Sequence, residues 1–198
     1  MQYTKVADNA FQQIQINAGI ICKDFKPATG EVTGIMGVTT GGFSFAANPA
    51  YDDFGADMDN VPANTKQLKR LTGYDPTGSG TFITVTPELG KMLIGGAAYA
   101  SGDTTHIIPA TGLKEEDFQD VWIVGDYSDK NEGATTAGFV AIHIMNALNT
   151  SGFQMQTSKG GKGQFAFEFH GHYDLSDIDK APFEIYIKAG TDAETTGG

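Results

Sequence analysis

Residues 154–174 read QMQTSKGGKGQFAFEFHGHYD, two strand-like runs on either side of a Lys/Gly turn. In the second run Phe165, Phe167 and Phe169 share one face while Gln164, Ala166, Glu168 and His170 share the other, the period-2 pattern of a half-buried strand. Three aromatic rings on one face require a second layer to bury them. The opposite face is polar but holds no set of groups able to do covalent or hydrolytic work. The segment therefore predicts a packed β-layer with one wet surface.

The whole chain fits that beginning. Its 198 residues suit one domain with a real core, and 40% hydrophobic and 11% aromatic content exclude a disordered chain. Glycine, at 26 residues, is nearly double its usual share of about 7% and falls in doublets such as Gly41-Gly42, Gly95-Gly96 and Gly160-Gly161, as many tight turns would require. A formal charge of −11, from 24 acidic and 13 basic residues, disfavours gripping of phosphate backbones or anionic membranes, which depends on clustered Lys and Arg. Cys22 is the only cysteine, so no internal disulfide or cysteine zinc cluster can form; it reads as a small buried apolar residue. The start MQYTKVADNAFQQIQ lacks a signal-peptide core and no run has the roughly 18 apolar residues of a membrane span, which points to a cytoplasmic place of folding.

Along the chain, residues 1–10 form a polar arm. Ile14, Ile16, Ala18 and Ile20 alternate, predicting a long first strand from Phe11 to about Asp24. A strand pair is expected at Gly34–Val38 and Gly42–Ala47, joined by Thr39-Thr40-Gly41. Residues 48–65, NPAYDDFGADMDNVPANT, carry two prolines, three asparagines and four aspartates with little periodicity and predict a long loop, a feature that in compact domains tends to be functional. Lys66, Lys69 and Arg70 follow, placing a basic block beside the acidic one. A hairpin is expected from Leu68–Tyr74 and Thr81–Val85 with DPTGSG as its turn. The clearest helix start is at Thr86, a capping residue, with Pro87 at the first position, Glu88 against the dipole, and Leu89, Met92 and Leu93 as an apolar stripe before Gly95-Gly96; one short helix over about 86–95 results. Residues 101–118 read as turns, Val121–Tyr127 as a strand, and Phe183–Lys188 as the last strand. Residues 138–148 fit either period, but β-branched Val140, Ile142 and Ile144 favour strand. The tail, 191–198, reads as loose.

Candidate chemistry is sparse. His170, His172 and Asp174 alternate along one strand face and could begin a metal site, yet a structural zinc site needs about four ligands, and a polar face beside a turn explains them as well. His106 and His143 are isolated. Asp52, Asp53, Asp57 and Asp59 suggest a calcium loop, but Pro62 occupies the place of the sharp-turn glycine and no glutamate closes the loop; a solvated acidic loop is the plainer account. Neither KGGKG nor TGSGT is a phosphate-binding loop, and no nucleophile elbow occurs. No enzyme activity, metal or cofactor is expected.

Taken in order, INAGIICKDFKPATGE, GVTTGGFSFAANPAYDDFGADMDNVPANTKQLK, SGTFITVTPEL, FQDVWIVGDYSDKN, GFVAIHIMNALNTSGFQMQTSKGGKGQFAFEFHGHYDL and PFEIYIKAG resemble the major tail tube proteins of long-tailed, non-contractile bacteriophages. The likeness runs from about Phe11 to Gly190 and lies in the succession of segments. It implies a mainly β fold, a single sandwich or barrel-like domain with one helix and a long inter-ring loop. It also implies a structural virion subunit that forms hexameric rings stacked into a hollow tube around a tape-measure protein, capped by tail-tip and terminator proteins, through which DNA passes without specific binding. On that reading residues 1–10 and 50–64 meet the next ring, Asp52, Asp53, Asp57 or Asp59 facing its Lys66, Lys69 or Arg70, and Glu168 and His170 face the lumen or the tube exterior. The rival readings are a β-sandwich module binding sugar or calcium, and a tube subunit of a contractile tail or secretion system.

Overall fold

The computed structural model describes residues 10, 14–15, 19–126 and 138–188; the N-terminal arm and the C-terminal tail lie outside them, apart from residue 10. Among the described residues eleven strands and one α-helix follow in order: β1 Ile20–Lys26, β2 Glu31–Ile35, β3 Thr39–Asp53, β4 Lys69–Phe82, α1 Pro87–Ile94, β5 Ala97–Ala100, β6 Asp103–Pro109, β7 Gln119–Asp126, β8 Phe139–Asn149, β9 Gln154–Gln156, β10 Gln164–His170 and β11 Phe183–Lys188. The fold is mainly β and sandwich-like, as expected.

The strands of the main sheet pair antiparallel in the order β2-β1-β7-β8-β10-β4-β3, with β11 on β8 and β9 on β10, and β5 pairs with β6 apart from it. Strand β8 joins the two layers: its first half pairs with β11 from Phe139 to Ile144, and its end pairs with β10 through Leu148 and Asn149. Between the layers, Ile21, Val121, Ile123 and Ile144 meet Phe82, Phe165, Phe167 and Phe169, and Leu89, Met92 and Leu93 of α1 close the end. The expected burial of the three β10 phenylalanines holds, at 8%, 3% and 1% exposure. Alternate positions of the first layer carry a second cluster on its other face, Cys22, Phe25, Trp122, Val124, Phe139 and Ala141. Burial, and then the nearby Asp24 charge, push the Cys22 thiol up to about 11, in keeping with a packing role.

Helix α1 begins as its sequence requires: the Thr86 hydroxyl accepts from the Leu89 N–H at 3.2 Å, and Gly95, at φ +94°, ends it by donating to the Met92 carbonyl. Buried Asn149 anchors the helix to the sheet. Its amide donates to the Leu93 carbonyl at 2.6 Å and to the Gly152 carbonyl at 3.1 Å, while its oxygen accepts from the Glu168 N–H at 2.7 Å and the Ser151 hydroxyl at 3.1 Å. Every polar valence of that side chain is thereby used.

Five expectations are corrected. Among the described residues the first strand starts at Ile20, because Gly19 at φ +71° turns the chain against the Val124 carbonyl; Ile14 is half exposed, and Ile16 and Ala18 lie outside the described residues. Residues 34–38 do not pair with 42–47: β2 pairs with β1, and Thr39–Gly41 belongs to β3 as an irregularity between Thr39 and Phe43 formed by two left-handed glycines, Gly41 and Gly42. The long loop is shorter than 48–65, since β3 continues to Asp53. The segment DPTGSG is the middle of β4 and not a turn. A Cβ at Gly78 would stand 2.8 Å from Ile144 Cδ1, and one at Gly80 2.8 Å from Phe167 Cζ, so these glycines admit β4 to close packing. Lastly, residues 101–118 contain most of a hairpin, β5 with β6.

Candidate functional site: a polar sheet face and a projecting arm

The second layer, β9-β10-β4-β3, buries its aromatic positions and turns the alternate ones outward. Register sets Gln154 and Gln156 of β9 beside Ala166 and Gln164 of β10, then Glu168 and His170 beside Ser79 and Thr77 of β4, with Thr81 and Asp75 in the same row. Ser44, Ala46 and Asn48 of β3 complete the face. It is built of hydroxyls, amides and small side chains, contains no lysine or arginine, and gathers its only charges in one cluster. There His170 is held from two strands: Nε2 to Glu168 at 2.9 Å and Nδ1 to Asp75 at 3.1 Å, with the Thr77 hydroxyl at 3.4 Å. Partial burial draws the imidazole pKa down, but the hydrogen bonds and charges of Glu168 and Asp75 outweigh it and raise the pKa.

This arrangement accounts for the residues that resembled a metal site. His172 points to the Asn146 carbonyl at 3.1 Å, and Asp174 accepts from the Ser176 N–H at 2.7 Å. Among the described residues no three His, Cys, Asp or Glu side chains are placed to hold a metal. On the opposite side of the molecule His143 stacks on Trp122 at 4.1 Å and meets Asp120 at 2.9 Å, a contact that lowers the Asp120 pKa.

Beyond His170 and its partner Thr77, strand β10 no longer covers β4, and the pairing of β3 with β4 continues alone from Asn48/Asp75 to Asp53/Lys69. The result is a two-stranded arm. Its root is fixed by Tyr173, whose hydroxyl accepts from the Tyr74 N–H at 2.9 Å, and by the Tyr74 and Phe183 rings, 5.3 Å apart. At its end Asp53 organises the loop, accepting from the Gly55 N–H at 3.0 Å and the Asn64 N–H at 2.7 Å. Asp52 lies opposite Arg70 and Asp53 opposite Lys69, so four of the seven charged residues singled out are brought together within one chain. Lys69 also reaches Asn64 at 3.1 Å and lies over the Tyr51 ring. Asp57, Asp59 and Lys66 remain exposed at the tip. Tyr51, Phe54, Met58 and Leu71 are each about half exposed on this arm, a concentration of apolar surface that a reading of the loop by charge alone passes over.

Sequence reasoning also missed an apolar groove of about 540 Å³ between β2 and α1, walled by Ile35, Met36, Leu89, Met92 and Tyr99 and bordered by the ion pair of Lys23 with Glu88. Four separated segments, from β1, β2, α1 and β5, build it, so no local pattern announces it. No family model and no curated protein matches the sequence. Among the described residues no helix is long and apolar enough to cross a membrane.

Proposed function

We propose that the protein is the structural subunit of a hollow tube, a phage tail tube built from stacked hexameric rings, with the outward face of the β9-β10-β4-β3 layer as the wall of the bore. The observation that carries this reading is the chemistry of that face. A wall of Ser, Thr, Gln and Ala with no lysine or arginine, whose single histidine is held between the carboxylates of Glu168 and Asp75, gives phosphates little to displace counterions, so passing DNA is neither bound nor slowed. The layer's edges support the same reading. Strand β3 is a 15-residue edge with no charged side chain before Asp52, so most of its length lacks the charges by which monomeric sheets defend their edges; joining edges around a ring into a closed barrel removes them. The tape-measure protein is the partner such a bore would hold during assembly, and tail-tip and terminator proteins would close its ends.

Electron microscopy of the purified protein, brought to high concentration, tests this. Tubes or six-fold rings are expected. Persistent monomers across the concentration range, or closed assemblies without a bore, would refute it.

A further inference from the structure

His170 is gripped from two sides, and a histidine donates from both ring nitrogens only as an imidazolium. Nε2 lies 2.9 Å from Glu168 and Nδ1 3.1 Å from Asp75. Both partners are carboxylates, so both contacts are favourable at once only while the ring is protonated. Among the described residues no other charged group acts on it: β8 pairs Leu148 with it, and beyond β4 the neighbours on β3 are Ala46 and Asn48. The two carboxylates belong to different parts of the fold. Glu168 sits on β10 itself, whereas Asp75 lies on β4 past Thr77, the last position that β10 pairs with, and opposite Asn48, where the two-stranded arm begins. The Asp75 contact therefore crosses from the layer to the root of the arm.

When the ring loses its proton, one nitrogen keeps a hydrogen and the other presents a lone pair, which a carboxylate repels. Thr77 decides which. Its hydroxyl stands 3.4 Å from Nδ1 and can turn to donate to a bare Nδ1, while Nε2 has the Glu168 carboxylate beside it. The neutral ring is best satisfied with its hydrogen on Nε2 toward Glu168, Thr77 donating to Nδ1, and Asp75 turned away. We propose that His170 is a proton-operated latch on the β3/β4 arm: the imidazolium ties Asp75 to β10, and the neutral ring passes Nδ1 to Thr77 and frees the root of the arm. The latch works within one chain and does not require the tube. Partial burial works against the charged ring, but Glu168 and Asp75 outweigh it and raise the His170 pKa, which puts release on the alkaline side of histidine's ordinary value of about 6.5.

Two readouts test the latch in the full-length protein, each taken at about pH 6 and about pH 8.5, on either side of a raised histidine value. In isotope-labelled protein the NMR shifts of the ring nitrogens report the tautomer, and His170→Asn identifies the His170 signals among those of the four histidines. A bare Nδ1 and a protonated Nε2 are expected at the higher pH; a hydrogen kept on Nδ1 there overturns the latch. Amide exchange, corrected for the intrinsic effect of pH, reports the arm. Protection over residues 69–74 should fall about threefold from the lower to the higher pH, the scale of one solvent-exposed ion pair. The fall should vanish in Asp75→Asn and shrink in Thr77→Val, which lacks the hydroxyl that replaces Asp75 at Nδ1. Arm protection that ignores pH, or an undiminished fall in either variant, overturns the latch as well.

Discussion

The near and far halves of the β3/β4 hairpin share one ladder of backbone hydrogen bonds and differ in everything else. In the near half Phe43 and Phe45 pack onto the main core, and Gly78 and Gly80 let Ile144 and Phe167 press against the strand. In the far half Tyr51 and Leu71, register partners, are each about half exposed, and no layer of the described chain covers them. An isolated two-stranded ribbon is marginal in water, so the far half owes its order to its root at Tyr173 and to the Asp53 loop. The contrast teaches that the two halves are held differently: one is packed by its own chain, and the other leaves its apolar side chains open to solvent.

Truncation should separate the halves most strongly. Phe167→Ala, which removes a ring 4.6 Å from Phe82, should cost about 3–5 kcal/mol in unfolding free energy, whereas Leu71→Ala should cost under about 0.5 kcal/mol. Urea denaturation of the two variants checks this, and equal losses would erase the distinction between the halves. Charge reversal at the tip is the next sharpest comparison. The double change Asp57→Lys with Asp59→Lys should leave the melting temperature of the subunit unchanged while impairing polymerisation; sedimentation shows whether it does, and normal tubes would remove the tip from the contact.

A smaller effect is expected where the near half meets the polar face. Glu168 and Asp75 raise the folded-state pKa of His170 above its unfolded value of about 6.5. The protonated cluster therefore stabilises fully below about pH 6.5, and its contribution disappears as pH rises through the folded-state value. For partners this open to water the contribution is no more than about 1 kcal/mol. His170→Asn should flatten the stability profile over that window, and an identical profile in both proteins would show that the cluster does not couple to folding.

The sequence made the near half partly legible and the far half hardly at all. Alternation exposed the β10 phenylalanines and the orientation of Glu168 and His170, and the Thr86-Pro87-Glu88 start placed the helix, because these signals are local. The glycines of DPTGSG misled because glycine serves turns and close packing equally, and only the rings across the sheet distinguish the two. Asp75 could not be assigned to His170 without the β4/β10 register, a pairing of residues 95 positions apart. The groove required β1, β2, α1 and β5 to meet. The arm appeared as an acidic loop because its apolar residues have no period once both faces are open to solvent.

The central claim concerns which surface lines the bore, and a cryo-electron microscopy reconstruction of the assembled tube reads that surface directly. The account predicts Ser44, Ser79, Thr81 and Glu168 facing the channel, with Trp122 and its cluster in the layer away from it. A bore lined by the Trp122 side of the molecule, or by lysine and arginine side chains, would contradict it.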